Sequence, residues 1–151
     1  MNTVPGPALG GYGARFSYPV AKTADGKEWD LSRVGANDGR FYFKYFSLDD
    51  LDEGFAILHD PKSRETIAMV WPVDQVRYFG MWVNEGAWKG QFNVAPEPCT
   101  APFDRWDLAR QWGKLPMVPA FGCSKWELRL TVDLTDSPFR AEPDGAIKQR
   151  A

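Results

Sequence analysis

The middle of the chain is built from short runs in which apolar and polar positions alternate. In "RFYFKYFSL", Phe41, Phe43 and Tyr45 fall on one side of an extended segment, and Tyr42, Lys44 and Phe46 fall on the other. "FAIL", "TIAMVWPV", "VRYFGMWVN" and "GQFNVAP" follow as further strands, separated by turn clusters such as "DEG", "HDPKSRE" and the hairpin-like "NEGAWKG". "KWELRLTVDL" alternates most cleanly, which predicts Trp126, Leu128, Leu130 and Val132 facing inward. One helix is predicted, in "DRWDLARQWGK", with Asp104 as its cap and Gly113 as its end.

At the ends the periodicity fades. Residues 1–15 are rich in Gly and Pro and read as an irregular arm. "RFSYPVA" reads as a short edge strand, because Pro19 has no N–H for a ladder, and "TADGKEWDLSRVGANDGR" reads as a loop. After Leu134 the polar stretch 135–151 predicts a frayed tail. Many short strands with turn signals between them predict an all-β antiparallel sandwich with at most one short helix, folded as a single domain over residues 1–134.

Charge and composition then narrow the partners. A formal net charge of −2 leaves no positive field to recruit nucleic acid or an anionic membrane. The apolar runs are too short to span a bilayer and no signal-like N-terminus is evident, so cytoplasmic residence is the expectation. Cys99 and Cys123 are the only cysteines and read as buried free thiols. With His59 as the only histidine, neither a metal site nor a cofactor is expected. The seven tryptophans and ten phenylalanines exceed the needs of a small core, and without basic excess an exposed aromatic platform suits a sugar ring.

The most specific constellation is "FGMWVNEGAWKGQFNVAPEPCTAPFDRWDLA", followed by "FGCSKWELRLTV". It resembles the C-terminal half of galactose mutarotase-like proteins, the superfamily of the aldose 1-epimerases. Those proteins have a Trp-bearing strand, a hairpin, an apolar strand ending in a Glu within a Pro-containing turn, and a final W-x-L-x-L-x-V strand. The resemblance covers the second half of the chain well and Arg40 to Val83 more loosely. The superfamily's sugar-acting histidines lie upstream of the matched region.

The resemblance implies a large twisted β-sandwich, of which this chain would be a part, and a sugar or sugar-phosphate ligand. It makes Glu97, held between Pro96 and Pro98, the general base of an aldose 1-epimerase-type isomerisation, and Asp104 a substrate contact. Mutarotation needs a base at the anomeric hydroxyl and an acid at the ring oxygen, on opposite sides of the anomeric carbon. His59 is the only imidazole available as that acid, although a histidine at a strand-to-turn junction is more often a surface or capping residue. Trp88, in a Gly-rich hairpin, is the best placed tryptophan to present a face to a sugar, with Asn84 and Glu85 in the same hairpin as substrate-binding candidates. Trp82 and Trp126 lean towards the core.

Two other functions compete with isomerisation. One is a non-catalytic carbohydrate-binding module; the other is a glycoside hydrolase using Glu85 and Glu97 as its carboxylate pair. Half of a large sandwich would also leave apolar sheet surface uncovered, so a homodimer that covers it is expected.

Overall fold

A computed structural model describes residues 1–3, 8–136 and 139–149 of the chain. Positions 4–7 of the expected arm and 137, 138, 150 and 151 of the expected tail lie outside the described residues. In chain order the strands are β1 (Val20–Lys22), β2 (Glu28–Asp30), β3 (Tyr42–Phe46), β4 (Phe55–His59), β5 (Glu65–Val70), β6 (Tyr78–Glu85) and β7 (Phe92–Cys99). Helix α1 (Trp106–Gln111) comes next, then β8 (Arg129–Leu134), β9 (Phe139–Ala141) and β10 (Ile147–Gln149). All strand pairings are antiparallel. The chain is therefore all-β with one short helix, the class its strand patterning predicts.

Contacts divide the length read as one domain into two compact units. The first comprises Met1–Asp49 and Tyr78–Leu115; the second comprises Asp50–Arg77 and the chain from Pro116 onward. Each is a two-layer β arrangement, with a three-stranded sheet under a two-stranded ribbon.

In the first unit the sheet order is β3–β6–β7 and the ribbon is β1–β2. One sheet face buries Phe43, Tyr45 and Val83 against Ala21 and Leu31 from the ribbon side and Leu9 from a 3₁₀ turn at Ala8–Gly10. Trp29 closes over Phe43, ring centroids 5.2 Å apart, in an edge-on arrangement suited to the aromatic quadrupole. The loop expected across residues 23–40 thus contains β2, because Asp25 and Gly26 form the turn that returns the chain to β1. The expected arm is partly ordered: Asn2 bridges Tyr45, and Thr3 N–H donates to the Lys44 carbonyl.

A second cluster joins Met1, Phe46, Phe103 and Ala109, with Leu108 and Trp112 packed against it. Burial of Leu108, Ala109 and Trp112 gives α1 its inner side, and Gly113, at φ 68°, ends it in the left-handed region. Asp104 does not cap the helix. Arg105 occupies the cap position with no side-chain capping bond, and Asp104 is drawn instead to Lys44.

β7 runs through Pro96, Glu97 and Pro98 to Cys99, pairing with β6 throughout, so Glu97 lies within a strand and not in a turn. β7 is a sheet edge, and the two prolines share one parity, so the missing N–H groups cost no ladder bonds to β6.

In the second unit the sheet order is β4–β5–β8, and the β9–β10 hairpin lies against β4 and β5. Where a fraying tail is expected, residues 139–149 thus form ordered structure. The hairpin sits on the sheet side that carries Thr66 and Ala68, both buried, and Thr131 Oγ1 donates to the Gly145 carbonyl at 2.8 Å. Trp71 and Val76 of the same unit are also buried, joined by a bond of 3.1 Å from the Trp71 indole Nε1–H to the Val76 carbonyl. This reverses the expectation for the last long strand. Leu128, Leu130 and Val132 are 42%, 58% and 66% exposed, and Trp126 precedes the strand at 45%. Alternation places the leucines and the valine on one face, but the hairpin covers the other one.

Candidate functional site

The face of the first unit's sheet that turns away from the ribbon carries the chemistry; Met1, Phe103 and Ala109 cover it at Phe46, and the end at Tyr42 and Asn93 stays open. Its register aligns Tyr42 with Asn84 and Asn93, Lys44 with Trp82 and Ala95, and Phe46 with Gly80 and Glu97. Antiparallel partners point to the same side, so these residues form one surface. Tyr42, Trp82 and Trp88 cluster at one end, with ring centroids 5.4 Å (Tyr42–Trp88), 5.9 Å (Tyr42–Trp82) and 6.5 Å (Trp82–Trp88) apart. Trp88 is 45% exposed, and Trp82 is half-buried with its indole Nε1–H donated to Asn93 Oδ1 at 2.8 Å. The result is an accessible aromatic platform with an amide at its edge.

Towards the other end Lys44 joins two carboxylates. Its Nζ lies 2.7 Å from Glu97 Oε2 and 2.6 Å from Asp104 Oδ1, and 5.1 Å from the centre of the Phe46 ring. Gly80 makes the arrangement possible: a Cβ there would meet the Phe46 ring at 2.6 Å. Burial of the ammonium works against its charge, but the hydrogen bonds to Asp104 and Glu97 outweigh that and raise its pKa above the ordinary lysine value. Lys44 therefore stays charged at neutral pH, and the group of three carries a net negative charge. Asp104 and Glu97 are the two sequence-predicted residues brought together here.

The hairpin candidates serve the fold. Asn84 is fully buried, its Oδ1 accepting from the N–H groups of Gly86 (3.2 Å) and Trp88 (3.0 Å) and its Nδ2 donating to the Trp88 carbonyl (3.0 Å). It thereby sets the turn that carries Trp88. Gly86, at φ 98°, must be glycine, since a Cβ would lie 2.5 Å from Asn37 Oδ1.

Glu85 is 3% exposed and accepts the Gly35 N–H at 2.6 Å. Burial raises its pKa, with the Gly35 hydrogen bond acting in the opposite sense. Glu85 has the parity of Met81 and Val83, so it points to the opposite sheet face from Glu97. It also lies five residues along β6 from Gly80, the partner of Glu97, roughly 17 Å at strand rise. Glycosidase pairs sit about 5–9.5 Å apart on either side of one bond. Glu85 and Glu97 do not form such a pair.

His59 belongs to the second unit, at the end of β4, where its Nδ1 lies 2.9 Å from Thr66 Oγ1 on the neighbouring strand. Both cysteines are free, but only Cys99 is partly covered; Cys123 is exposed, in a loop with few neighbours to bury it. Among the described residues, no group of three or more His, Cys, Asp or Glu side chains is placed to hold a metal. No helix among them is long and apolar enough to cross a membrane. The second unit has an open groove of about 890 Å³ lined by Trp71, Trp126, Gln75, Lys125, Glu127 and Arg129, which mixes charges without bringing carboxylates together.

Tyr42, Lys44 and Asn93 are members of this surface that sequence reasoning did not single out, and Trp82, expected towards the core, is half-buried on the platform. Tyr42 and Lys44 were assigned to one strand face by alternation, which was the available signal. Their partners come from β6 and β7, and only the register supplies those.

No family model, curated protein or solved structure matches the chain. The resemblance to galactose mutarotase-like proteins rests on the quoted residues alone.

Proposed function

We propose that this chain binds carbohydrate on the accessible part of the β3–β6–β7 sheet face that turns away from the ribbon, with no catalytic step. The observation that carries this reading is the adjacency of the Tyr42–Trp82–Trp88 platform to the Lys44–Glu97–Asp104 group on one accessible surface. A pyranose has apolar C–H faces and a rim of hydroxyls, so a flat aromatic surface beside charged acceptors and an amide matches both parts. The net negative charge of the group favours a neutral sugar over a sugar phosphate.

Binding is favoured over aldose 1-epimerase-type isomerisation by the state of the groups near Glu97. The carboxylate is already ion-paired, and the ammonium beside it holds its proton more tightly than an ordinary lysine. A general acid poised for proton transfer needs a pKa near the working pH, and a strengthened ammonium is far from that.

The test is a titration of tryptophan fluorescence and ligand-observed NMR with a panel of neutral aldoses and short oligosaccharides. Saturable binding, weakened about tenfold or more in Trp88→Ala, is expected; a tenfold loss corresponds to about 1.4 kcal/mol. Absence of binding to every sugar would sink the reading. Accelerated anomeric exchange that disappears in Glu97→Gln would replace it with the isomerase.

A further inference from the structure

The open face of the second unit's sheet is the strongest unassigned feature. Within its strands it presents Ala56 and Leu58 from β4, Glu65, Ile67 and Met69 from β5, and Leu130, Val132 and Leu134 from β8. Ile67 is 38% exposed and Leu134 is 62% exposed, and Leu128, just before β8, adds to the same apolar stretch. The surface is continuous across three strands, and the β9–β10 hairpin occupies the opposite side. We propose that this face packs against the same face of a second copy of the chain, forming a two-fold homodimer.

Area supports a second copy. Ile67, Leu128, Leu130, Val132 and Leu134 together expose on the order of 500 Å² of apolar surface per copy, and a standard interface buries about 800 Å² per partner, of which about 65% is apolar in homodimers. Those five side chains alone supply the apolar part of such a contact. A patch of this size is at the upper end of what a monomer exposes.

Charge supports the same occupant and fixes the symmetry. Glu65 is the only charged residue on the strands of this face, and it pairs with Leu134 at one end. A two-fold axis in the interface plane and perpendicular to the strands carries the two Glu65 side chains to opposite ends of the contact. An axis parallel to the strands would bring them together in a low-dielectric seam, where like charges repel strongly. The perpendicular axis is therefore the one the surface permits.

Sedimentation equilibrium of the full chain, from low to high micromolar, tests this directly. A concentration-dependent dimer is expected, with its dissociation constant raised about tenfold or more in Val132→Lys and in Leu130→Lys, since each places a charge in an apolar contact. Circular dichroism checks that each variant stays folded; Val132→Thr, which keeps the branched shape and replaces one methyl by a hydroxyl, is the variant to use if a lysine disrupts the sheet. Trp88→Ala, on the other unit, should leave the dimer intact. A monomer throughout the series overturns the proposal, and so does a dimer that the variants at 130 and 132 leave unchanged.

Discussion

In the first unit a ribbon covers one sheet face, burying Phe43, Tyr45 and Val83, while the other face is packed under Phe103 and Ala109 at Phe46 and stays accessible around Trp82 and Trp88. In the second unit the hairpin covers the face carrying Thr66 and Ala68, with Thr131 hydrogen bonded to it, and leaves Ile67, Leu130 and Val132 in solvent. A two-stranded ribbon shields one side of each three-stranded sheet. Which side it shields decides what the sheet can still do. The first is left with a surface suited to a polar, ring-shaped ligand, and the second with a surface suited to another apolar face.

The sharpest way to break this contrast is to truncate one apolar residue from each sheet. Phe43→Ala should cost about 3–5 kcal/mol in denaturant unfolding, because it empties a buried aromatic site. Leu130→Ala should cost less than about 1 kcal/mol at protein concentrations low enough to exclude association. Equal losses would mean that the β8 face is covered in the isolated chain and would erase the difference.

A smaller effect comes from Glu85. Its folded-state pKa is raised from the ordinary value of 4.5, so just above that pH the folded chain holds more of its proton than the unfolded chain does. Stability must therefore fall as pH rises through this window. Glu85→Gln keeps an oxygen for the Gly35 N–H and removes the charge. The variant should match the wild type below the ordinary glutamate pKa and exceed it modestly near neutrality. Unfolding curves at several pH values read the result, and a variant less stable at neutral pH would show that the carboxylate charge is used.

The smallest expected effect is chemical. Burial, followed by the nearby Glu97 charge, pushes the Cys99 thiol up to about 12, so almost no thiolate exists at neutral pH. Exposed Cys123 should alkylate readily and Cys99 only on unfolding. Two fast-reacting thiols in the native protein would place the first unit's β7 edge in a looser environment than described.

Much of this was legible from alternation. The two faces of β3 follow from "RFYFKYF", and the helix from the stripe through Leu108, Ala109 and Trp112. In β8 the pattern identified the shared face correctly but not its surroundings, because period states which side chains point together and not what lies above them. The hairpin that covers the other face comes from a polar stretch whose turn hydrogen bonds leave little hydrophobic signal. Lys44, 53 positions before Glu97 in the chain, reaches it only through the β3–β6–β7 register. Asp104 likewise suits a helix cap in sequence, but a nearby ammonium offers a charged partner and outcompetes a backbone amide.

Pro96 and Pro98 have one more effect. A strand approaching the outer edge of β7 finds carbonyls there but gaps where donors should stand, so templated growth of the first sheet is blocked on that side. The outer edge of β8, between Arg129 and Leu134, contains no proline, and its side chains are those of a cross-β seed. Under heat or crowding, fibrils of this protein should nucleate at β8 and not at β7, and occupying the β8 face should slow them.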